Sequence, residues 1–284
     1  MVRKLSLLLG LGVVAAWVAG DEGLVPRDVR TDRFATAVVC AVCHANADDS
    51  GAHRDIQGRG VAPYDLWRSS MMANAARDPF FQAAVAAEVH AHPEAQAEIE
   101  ARCLTCHAPM ASVEARHAGR RGLALADRER QEDDDDDDRA ALARDGVSCT
   151  LCHQILEEGL GTKESFDGAF QIGDTREIFG PHDKLLGIPM HRVTKYWPVP
   201  GQHIMRSAQC ATCHTAFVNG VPELAAYLEW RNSDFNDETD APGPRAASCQ
   251  APHPPFAGSK DFNGVTRAKV PDFLLYALCS PVRK

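Results

Sequence analysis

The chain has 284 residues and a formal net charge of −9, with 24% charged and only 7% aromatic residues. A chain of this length can form one large domain or two small ones. The negative charge argues against nucleic acid as a partner, because binding to a phosphate backbone needs clustered Lys and Arg. A core so poor in aromatic residues is consistent with a bound group that supplies part of the buried apolar surface.

Residues 1–20 have the pattern of a secretory signal peptide. Arg3 and Lys4 form a positive start, residues 5–19 are almost entirely apolar, and small residues precede a possible cleavage point. The apolar run is short for a membrane span, although an uncleaved anchor is the alternative. We predict a mature chain of residues 21–284 in the periplasm or another extracytoplasmic compartment. Membrane association is expected only if the N-terminal segment stays uncleaved.

The most informative pattern is Cys-x-x-Cys-His, which occurs four times. In one helical turn, residues i, i+3 and i+4 share a face. The two thiols can therefore bond to the vinyl groups of a haem while the histidine binds its iron from below. Zinc ribbons and redox dithiols also use Cys-x-x-Cys, but neither needs a histidine after each pair. A zinc protein is the alternative at the level of the cofactor.

The pattern thus predicts four haem c groups. The predicted thioether cysteines are Cys40, Cys43, Cys103, Cys106, Cys149, Cys152, Cys210 and Cys213. The predicted proximal iron ligands are His44, His107, His153 and His214.

A fifth copy of the motif begins at Cys249, but Pro252 replaces its second cysteine. The interval from Cys249 to His253 is preserved, so a fifth haem held by one thioether bond is one interpretation. The other is a lost site, in which Cys249 pairs with Cys279 in an oxidising compartment. The part of the chain from residue 249 onwards is accordingly expected to be degenerate or truncated.

Local signals predict several short helices. Asp78 is an N-cap followed by Pro79 in the first helical turn. Pro93 can open a second helix that leads into the second motif, and Pro222 can open a third. We find no convincing alternating strand pattern. The predicted fold class is mainly α with extensive irregular loops, a multihaem cytochrome c in which short helices and loops wrap closely packed haems.

Residues 133–138 are six consecutive aspartates. Like charges repel each other and resist packing, so this run predicts a solvated loop between the second and third motifs. A cation-binding loop is the alternative, but the run lacks the glycine and the spaced ligands of a calcium loop.

The second protein ligand of each iron bears on function, because a haem with two protein ligands carries electrons and an open one can bind a substrate. The chain has 12 histidines, of which five belong to the motif copies, so seven remain. We favour His182, His191 and His203, which precede the fourth motif in a Gly- and Pro-rich segment, over His53. Met72 is a further distal candidate, with helix packing as its alternative role.

Three segments resemble the bacterial multihaem cytochromes c. They are Trp-x-x-Ser-x-Met-Ala-x-Ala-x-x-Asp-Pro at residues 67–79, the stretch 146–153 and the stretch 211–215. They are similar in particular to the tetrahaem cytochromes that accept electrons from hydroxylamine oxidoreductase, and to their larger relatives, over about residues 36–256. The resemblance implies closely packed haems, helical and irregular structure, and electron transfer. In relatives the position of Met72 is often a histidine that serves as a distal ligand, and the fifth motif is complete.

Together these observations predict an extracytoplasmic electron carrier, rather than an enzyme, that connects a donor and an acceptor protein. Its negative charge suits a basic patch on a redox partner. One alternative is a multihaem reductase or oxidase of a small nitrogen or sulfur compound, which needs an open iron. Another is a subunit of a conductive cytochrome assembly. The chain has no Cys-x-x-Cys-Lys, the variant associated with pentahaem nitrite reductases.

Overall fold

The computed structural model describes residues 27–55, 57–128 and 136–250. Helix makes up 44% of the structure, in short helices with little sheet. The predicted signal peptide at residues 1–20 lies outside the described residues. Within the described part, no helix is both long and apolar enough to cross a membrane.

The described part of the chain contains eleven α-helices, several short 3₁₀ helices and four short strands. The helices are α1 (Ala37–His44), α2 (Pro63–Trp67), α3 (Met71–Asn74), α4 (Pro79–Ala91), α5 (Gln96–His107), α6 (Pro109–His117), α7 (Asp136–Arg144), α8 (Cys149–Cys152), α9 (Gly187–Thr194), α10 (Ala211–His214) and α11 (Ala226–Arg231). The strands are β1 (Glu177–Gly180), β2 (Trp197–Pro200), β3 (Ala216–Val218) and β4 (Val221–Leu224). Strands β1 and β2 pair in parallel, whereas β3 and β4 form an antiparallel hairpin.

The first two predicted helix starts are confirmed. The Asp78 side chain accepts a hydrogen bond from the backbone N of Phe80 at 3.0 Å, and Pro79 is the first residue of α4. Pro93 begins a short 3₁₀ turn that leads directly into α5, which then carries the second motif. Both starts use the first helical positions, where proline loses no intrahelical hydrogen bond.

The prediction of a helix beginning at Pro222 is wrong. Pro222 lies in β4 opposite Phe217, and α11 begins later, at Ala226. Asn219 and Gly220 connect the two strands with φ angles of 51° and 78°. These left-handed values are typical of a tight hairpin turn, for which Asn-Gly is the favoured pair. The Asn-Gly turn therefore produces a hairpin in this segment, and Pro222 belongs to its second strand, β4.

The prediction of an acidic loop at residues 133–138 is wrong for its last three residues. Helix α7 begins at Asp136, so residues 136–138 form its first turn. The helix dipole favours negative charge in this position, which offsets the repulsion between neighbouring aspartates. Residues 129–135 lie outside the described part of the chain.

Helices α4 to α7 pack against one another in chain order and bury the main apolar core. Its fully buried side chains include Phe81, Leu104, Met110, Leu142 and Leu151. Leu104 belongs to the second Cys-x-x-Cys-His motif and Leu151 to the third. The core therefore anchors the backbone of both motifs and includes Cys103 of the second motif, whereas Cys106, Cys149 and Cys152 are only partly buried.

Candidate haem-attachment site

Each intact Cys-x-x-Cys-His motif lies in a helical turn, as its spacing predicts. The first and second motifs form the C-terminal ends of α1 and α5, which end at His44 and His107. The third motif occupies α8, with His153 directly after it. The fourth begins at Cys210, one residue before α10. The two thiols and the imidazole of each motif therefore project from one side of a turn.

The first and third motifs lie against each other. The thiols of Cys40 and Cys149 are within hydrogen-bonding reach, and α1 packs on α8. Thr150, inside the third motif, accepts a hydrogen bond from the backbone N of Ala35 at 3.2 Å and donates one to the Ala35 carbonyl at 2.7 Å. These two bonds fix the third motif on the segment that leads into α1.

The second and fourth motifs meet in a similar way. The thiols of Cys106 and Cys213 are within hydrogen-bonding reach. Gly168 lies between the two motifs: its backbone N donates to the Thr212 carbonyl at 2.7 Å, and a Cβ at this position would overlap Cγ2 of Thr105. Its φ of +75° also favours glycine. This close approach of the backbone brings the two motifs together.

The fourth motif also contacts the third motif and the damaged fifth copy. Gln209 Nε2 donates to the Cys152 carbonyl at 2.6 Å. The Cys249 thiol is within hydrogen-bonding reach of Cys210, and the Cys249 backbone N donates to Ser207 Oγ at 2.8 Å. The four intact motifs and the first residue of the fifth copy therefore form one continuous cluster.

In each pair of neighbouring thiols, hydrogen bonding raises the pKa of one thiol and lowers the pKa of the other. The thiol that donates keeps its proton, and burial adds to the effect, so the pKa is raised at Cys106, Cys149 and Cys210. The thiol that accepts has a lowered pKa at Cys40, Cys213 and Cys249, and the pKa of Cys249 falls to about 7.

Two cysteines differ from a simple attachment site. Cys249 is a free, half-buried thiol, so the disulfide with Cys279 that the sequence allows is not formed. Cys103 of the second motif is disulfide-bonded. A thioether bond at Cys103 requires reduction of that disulfide first. His253 and Cys279 themselves lie outside the described residues.

The histidines of the second and third motifs have the hydrogen bonding of a metal-binding imidazole. Nδ1 of His107 lies 3.0 Å from the Ala75 carbonyl, and Nδ1 of His153 lies 2.7 Å from the Phe179 carbonyl. Burial lowers the pKa of both rings, which are therefore neutral at pH 7. Because a carbonyl only accepts, Nδ1 carries the proton. Nε2 then offers the lone pair that an iron ligand needs.

Two of the predicted distal ligands lie beside motifs. The His53 ring is 5.8 Å from the His44 ring, and its Nε2 donates to a backbone carbonyl of the first motif at 3.1 Å. His203 is buried, and its Nε2 donates to the Ile155 carbonyl, two residues after the third motif, at 2.9 Å. In both rings Nδ1 is the nitrogen left for a metal. The sequence favours His182, His191 and His203 over His53, yet the fold brings His53 next to His44.

The other distal candidates are less closely tied to the motifs. His191 stacks on Trp197 at 4.2 Å, and His182 is exposed. Met72 has a side chain that is 37% exposed, and its carbonyl accepts a hydrogen bond from Val147 N at 2.9 Å. Through this bond, α3 lies on the chain that enters the third motif. Two of the segments that carry the family resemblance are therefore in contact.

The residues fit haem as a covalently attached group. A haem iron needs only one or two protein ligands, since the porphyrin supplies four nitrogens. Each motif presents two cysteine side chains and one imidazole from a single turn, although Cys103 is disulfide-bonded, and His107 and His153 have the required tautomer. In the part of the chain that the structure describes, no three or more His, Cys, Asp or Glu side chains are grouped to hold a bare metal ion.

Comparison with known proteins adds no further information about this site. No protein-family model, curated protein or solved structure matches the chain. The resemblance to multihaem cytochromes c stays a prediction that rests on the motifs and their flanking segments.

Asp145 lies where the first and third motifs meet. It is half-buried, and its carboxylate accepts a hydrogen bond from the backbone N of Ala37, the first residue of α1, at 2.8 Å. Desolvation raises its pKa above 3.8. Its contribution to stability is therefore fully present below pH 3.8 and is lost as the pH rises through the raised pKa, because the fold disfavours the charged form.

We therefore expect Asp145→Asn, which keeps an acceptor oxygen for Ala37, to become more stable relative to the parent as the pH rises from about 4 to about 7. Urea unfolding of both proteins at the two pH values measures the change. Asp48→Asn, at an exposed aspartate, is the matched control. An Asp145→Asn difference that is the same at both pH values would contradict this assignment.

Proposed function

We propose that the chain is an extracytoplasmic electron-transfer protein with four covalently attached c-type haems. The observation that carries this proposal is the cluster of four helical Cys-x-x-Cys-His motifs, whose thiols meet across motif boundaries. Covalently attached haem c supplies an iron centre that exchanges single electrons. The two cysteines of each motif would hold a ring by thioether bonds, at the second motif after reduction of the Cys103 disulfide, and the histidine of the motif would bind its iron.

The surroundings of His107 and His153 favour their proposed role as iron ligands. The carbonyls of Ala75 and Phe179 fix the proton on Nδ1 of His107 and His153 and orient each ring. Phe81 stacks on the His107 ring at 3.7 Å, with only 4° between the planes. These contacts favour Nε2 ligation and limit rotation of the imidazole, which keeps the geometry of an iron centre constant as its charge changes.

The contacts between motifs support electron transfer. The first motif meets the third through Cys40 and Cys149, and the third meets the fourth through Gln209. The fourth meets the second through Cys213 and Cys106. Haems held on these motifs would be neighbours in the order first, third, fourth, second. An unbroken series of this kind suits conduction, because each electron has a nearby acceptor along the chain.

Exposed apolar side chains near the motifs also support a bound apolar group. Val42, inside the first motif, is 66% exposed, and Phe80, beside the ring that stacks on His107, is 54% exposed. Trp197, which stacks on His191, is 46% exposed. Apolar surface left in water is unfavourable. Porphyrin rings over these positions would cover it.

The location and the partners follow from the same chemistry. Haem is attached to exported chains outside the cytoplasmic membrane, and residues 1–20 have the pattern of an export signal. The net charge of −9, to which haem propionates would add, suits redox partners with a basic docking patch. The membrane is a partner only if the N-terminal segment stays attached.

Carbon monoxide binding to the reduced protein separates an electron carrier from an enzyme. If each iron has two protein ligands, the Soret band of the reduced protein should not change when carbon monoxide is added. Rapid binding at one haem would instead favour a reductase or oxidase with an open site. A reduced protein without any haem band would overturn the cofactor assignment itself.

A further inference from the structure

The damaged fifth copy is held firmly against the approach to the fourth motif. Trp230 Nε1 donates to the Ala247 carbonyl at 2.9 Å, and the Cys249 backbone N donates to Ser207 Oγ at 2.8 Å. Gln250 Nε2 donates to the Arg206 carbonyl at 2.9 Å. Ser207 is fully buried. Hydrogen bonds at successive positions thus fix the backbone of Cys249 beside the residues that precede Cys210.

The two thiols of the fourth motif have different neighbours. Cys213 is within hydrogen-bonding reach of Cys106 in the second motif and of its neighbour Thr212. Cys210 and Cys249 are both joined to Ser207: the Cys210 backbone N donates to the Ser207 carbonyl at 2.9 Å and the Cys249 backbone N donates to Ser207 Oγ at 2.8 Å, which places the two free thiols beside each other. Cys210 therefore has the unmatched cysteine of the damaged copy as a neighbouring thiol, in addition to Cys213, its partner in the motif. The low pKa of Cys249, about 7, gives a substantial thiolate population near neutral pH.

We propose that Cys210 and Cys249 form a disulfide in the exported chain before haem attachment, and that this bond withholds one thiol from the fourth motif. The disulfide does not depend on the proposed function, whereas the block on haem attachment rests on the proposed function. The fourth haem can then be attached only after the disulfide between Cys210 and the damaged copy has been reduced.

The reaction is ordinary thiol–disulfide exchange with a disulfide oxidant of the exported compartment. The Cys249 thiolate attacks one sulfur of the oxidant, which releases one oxidant thiolate and leaves a mixed disulfide on Cys249. The Cys210 thiolate then attacks the Cys249 sulfur and releases the second oxidant thiolate. Two electrons pass from the protein thiols to the oxidant, and the two thiol protons end on its reduced sulfurs. A thiol reductant reverses both steps and frees Cys210 for thioether formation.

The test uses the full-length chain, exported from cells that cannot attach haem. The reduced chain is exposed to oxidised glutathione, its remaining thiols are alkylated, and its peptides are analysed by mass spectrometry. A peptide pair linked through Cys210 and Cys249 should be the main product involving Cys210. A main product linked through Cys210 and Cys213, or no link to Cys249, would overturn the proposal.

Two variants test whether a change in the Cys210–Cys249 link has a cause other than misfolding. Cys249→Ser should lose the linked pair while far-ultraviolet circular dichroism stays that of the parent. Gln250→Ala keeps both thiols but removes the anchor on Arg206, so it should form the same link more slowly. An unchanged rate in Gln250→Ala would show that the packing of the damaged copy does not direct the reaction.

A second measurement addresses the block on haem attachment. In cells that attach haem, the fourth-motif peptide from Cys249→Ser should carry haem in a larger fraction of molecules than the parent peptide when thiol reductant is limiting. Equal fractions would overturn the block while leaving the disulfide intact. Absence of haem from every motif of both proteins would instead reject the proposed function and would leave the disulfide result standing.

Discussion

Replacing Gly168 by alanine is expected to lower the free energy of unfolding by roughly 2–5 kcal/mol. Gly168 has a φ of +75°, which an L side chain adopts only with strain. The new Cβ would also overlap Cγ2 of Thr105 and lie 3.3 Å from Sγ of Cys106. The second and fourth motifs would have to move apart, so the loss should appear in urea unfolding and in haem loading at both motifs.

Two further variants separate backbone strain from overlap. Gly58 has a φ of +76°, and no described atom lies within 4 Å of a Cβ built there, so Gly58→Ala measures the strain alone. Thr105→Ser in the Gly168→Ala background removes Cγ2 but keeps the hydroxyl that bonds to the Ala101 carbonyl. It should recover part of the lost stability. Equal losses for Gly168→Ala and Gly58→Ala would contradict the close approach of the two motifs.

Replacing both Cys149 and Cys152 by serine is expected to remove one covalent haem, so that the count falls from four to three. The third motif has its thiols and His153 on one turn, and serine forms no thioether bond. Electron exchange between the first and fourth motifs should also slow, because the haem between them is lost. Pyridine haemochrome absorbance per protein and the intact mass measure the count.

The matched substitution at the damaged copy is Cys249→Ser, for which the count should stay at four. A count that falls in this variant would show that Cys249 holds a haem by a single thioether bond. A Cys149→Ser/Cys152→Ser protein that keeps four haems would contradict attachment at the third motif.

The parts of the fold that the sequence predicts are those with local causes. Asp78 caps the start of α4 by accepting a hydrogen bond from the backbone N of Phe80, two residues later. Pro79 has a fixed φ that suits the first helical turn. The Cys-x-x-Cys-His turns follow from spacing alone. Asn219 and Gly220 are also a local signal, since Asn-Gly favours the tight turn of the β3–β4 hairpin. The strands themselves have only three and four residues, too few for an alternation of apolar and polar residues to be recognised.

The parts that the sequence does not predict depend on contacts between distant residues. Thr150 bonds to Ala35 across 115 positions, and His153 to Phe179 across 26. Such pairs are set by how the core packs, which no local pattern records. The same reason applies to His53, whose ring lies beside that of His44 in a contact that no local sequence pattern records.

The proposed function depends above all on the four covalent haems. The most direct measurement is the intact mass and absorption spectrum of the protein purified from the exported fraction of cells able to attach haem. We expect the mass of the mature chain plus four haems, together with the sharp reduced bands of low-spin haem c. A mass equal to that of the bare chain, with no Soret band, would rule out covalent haem.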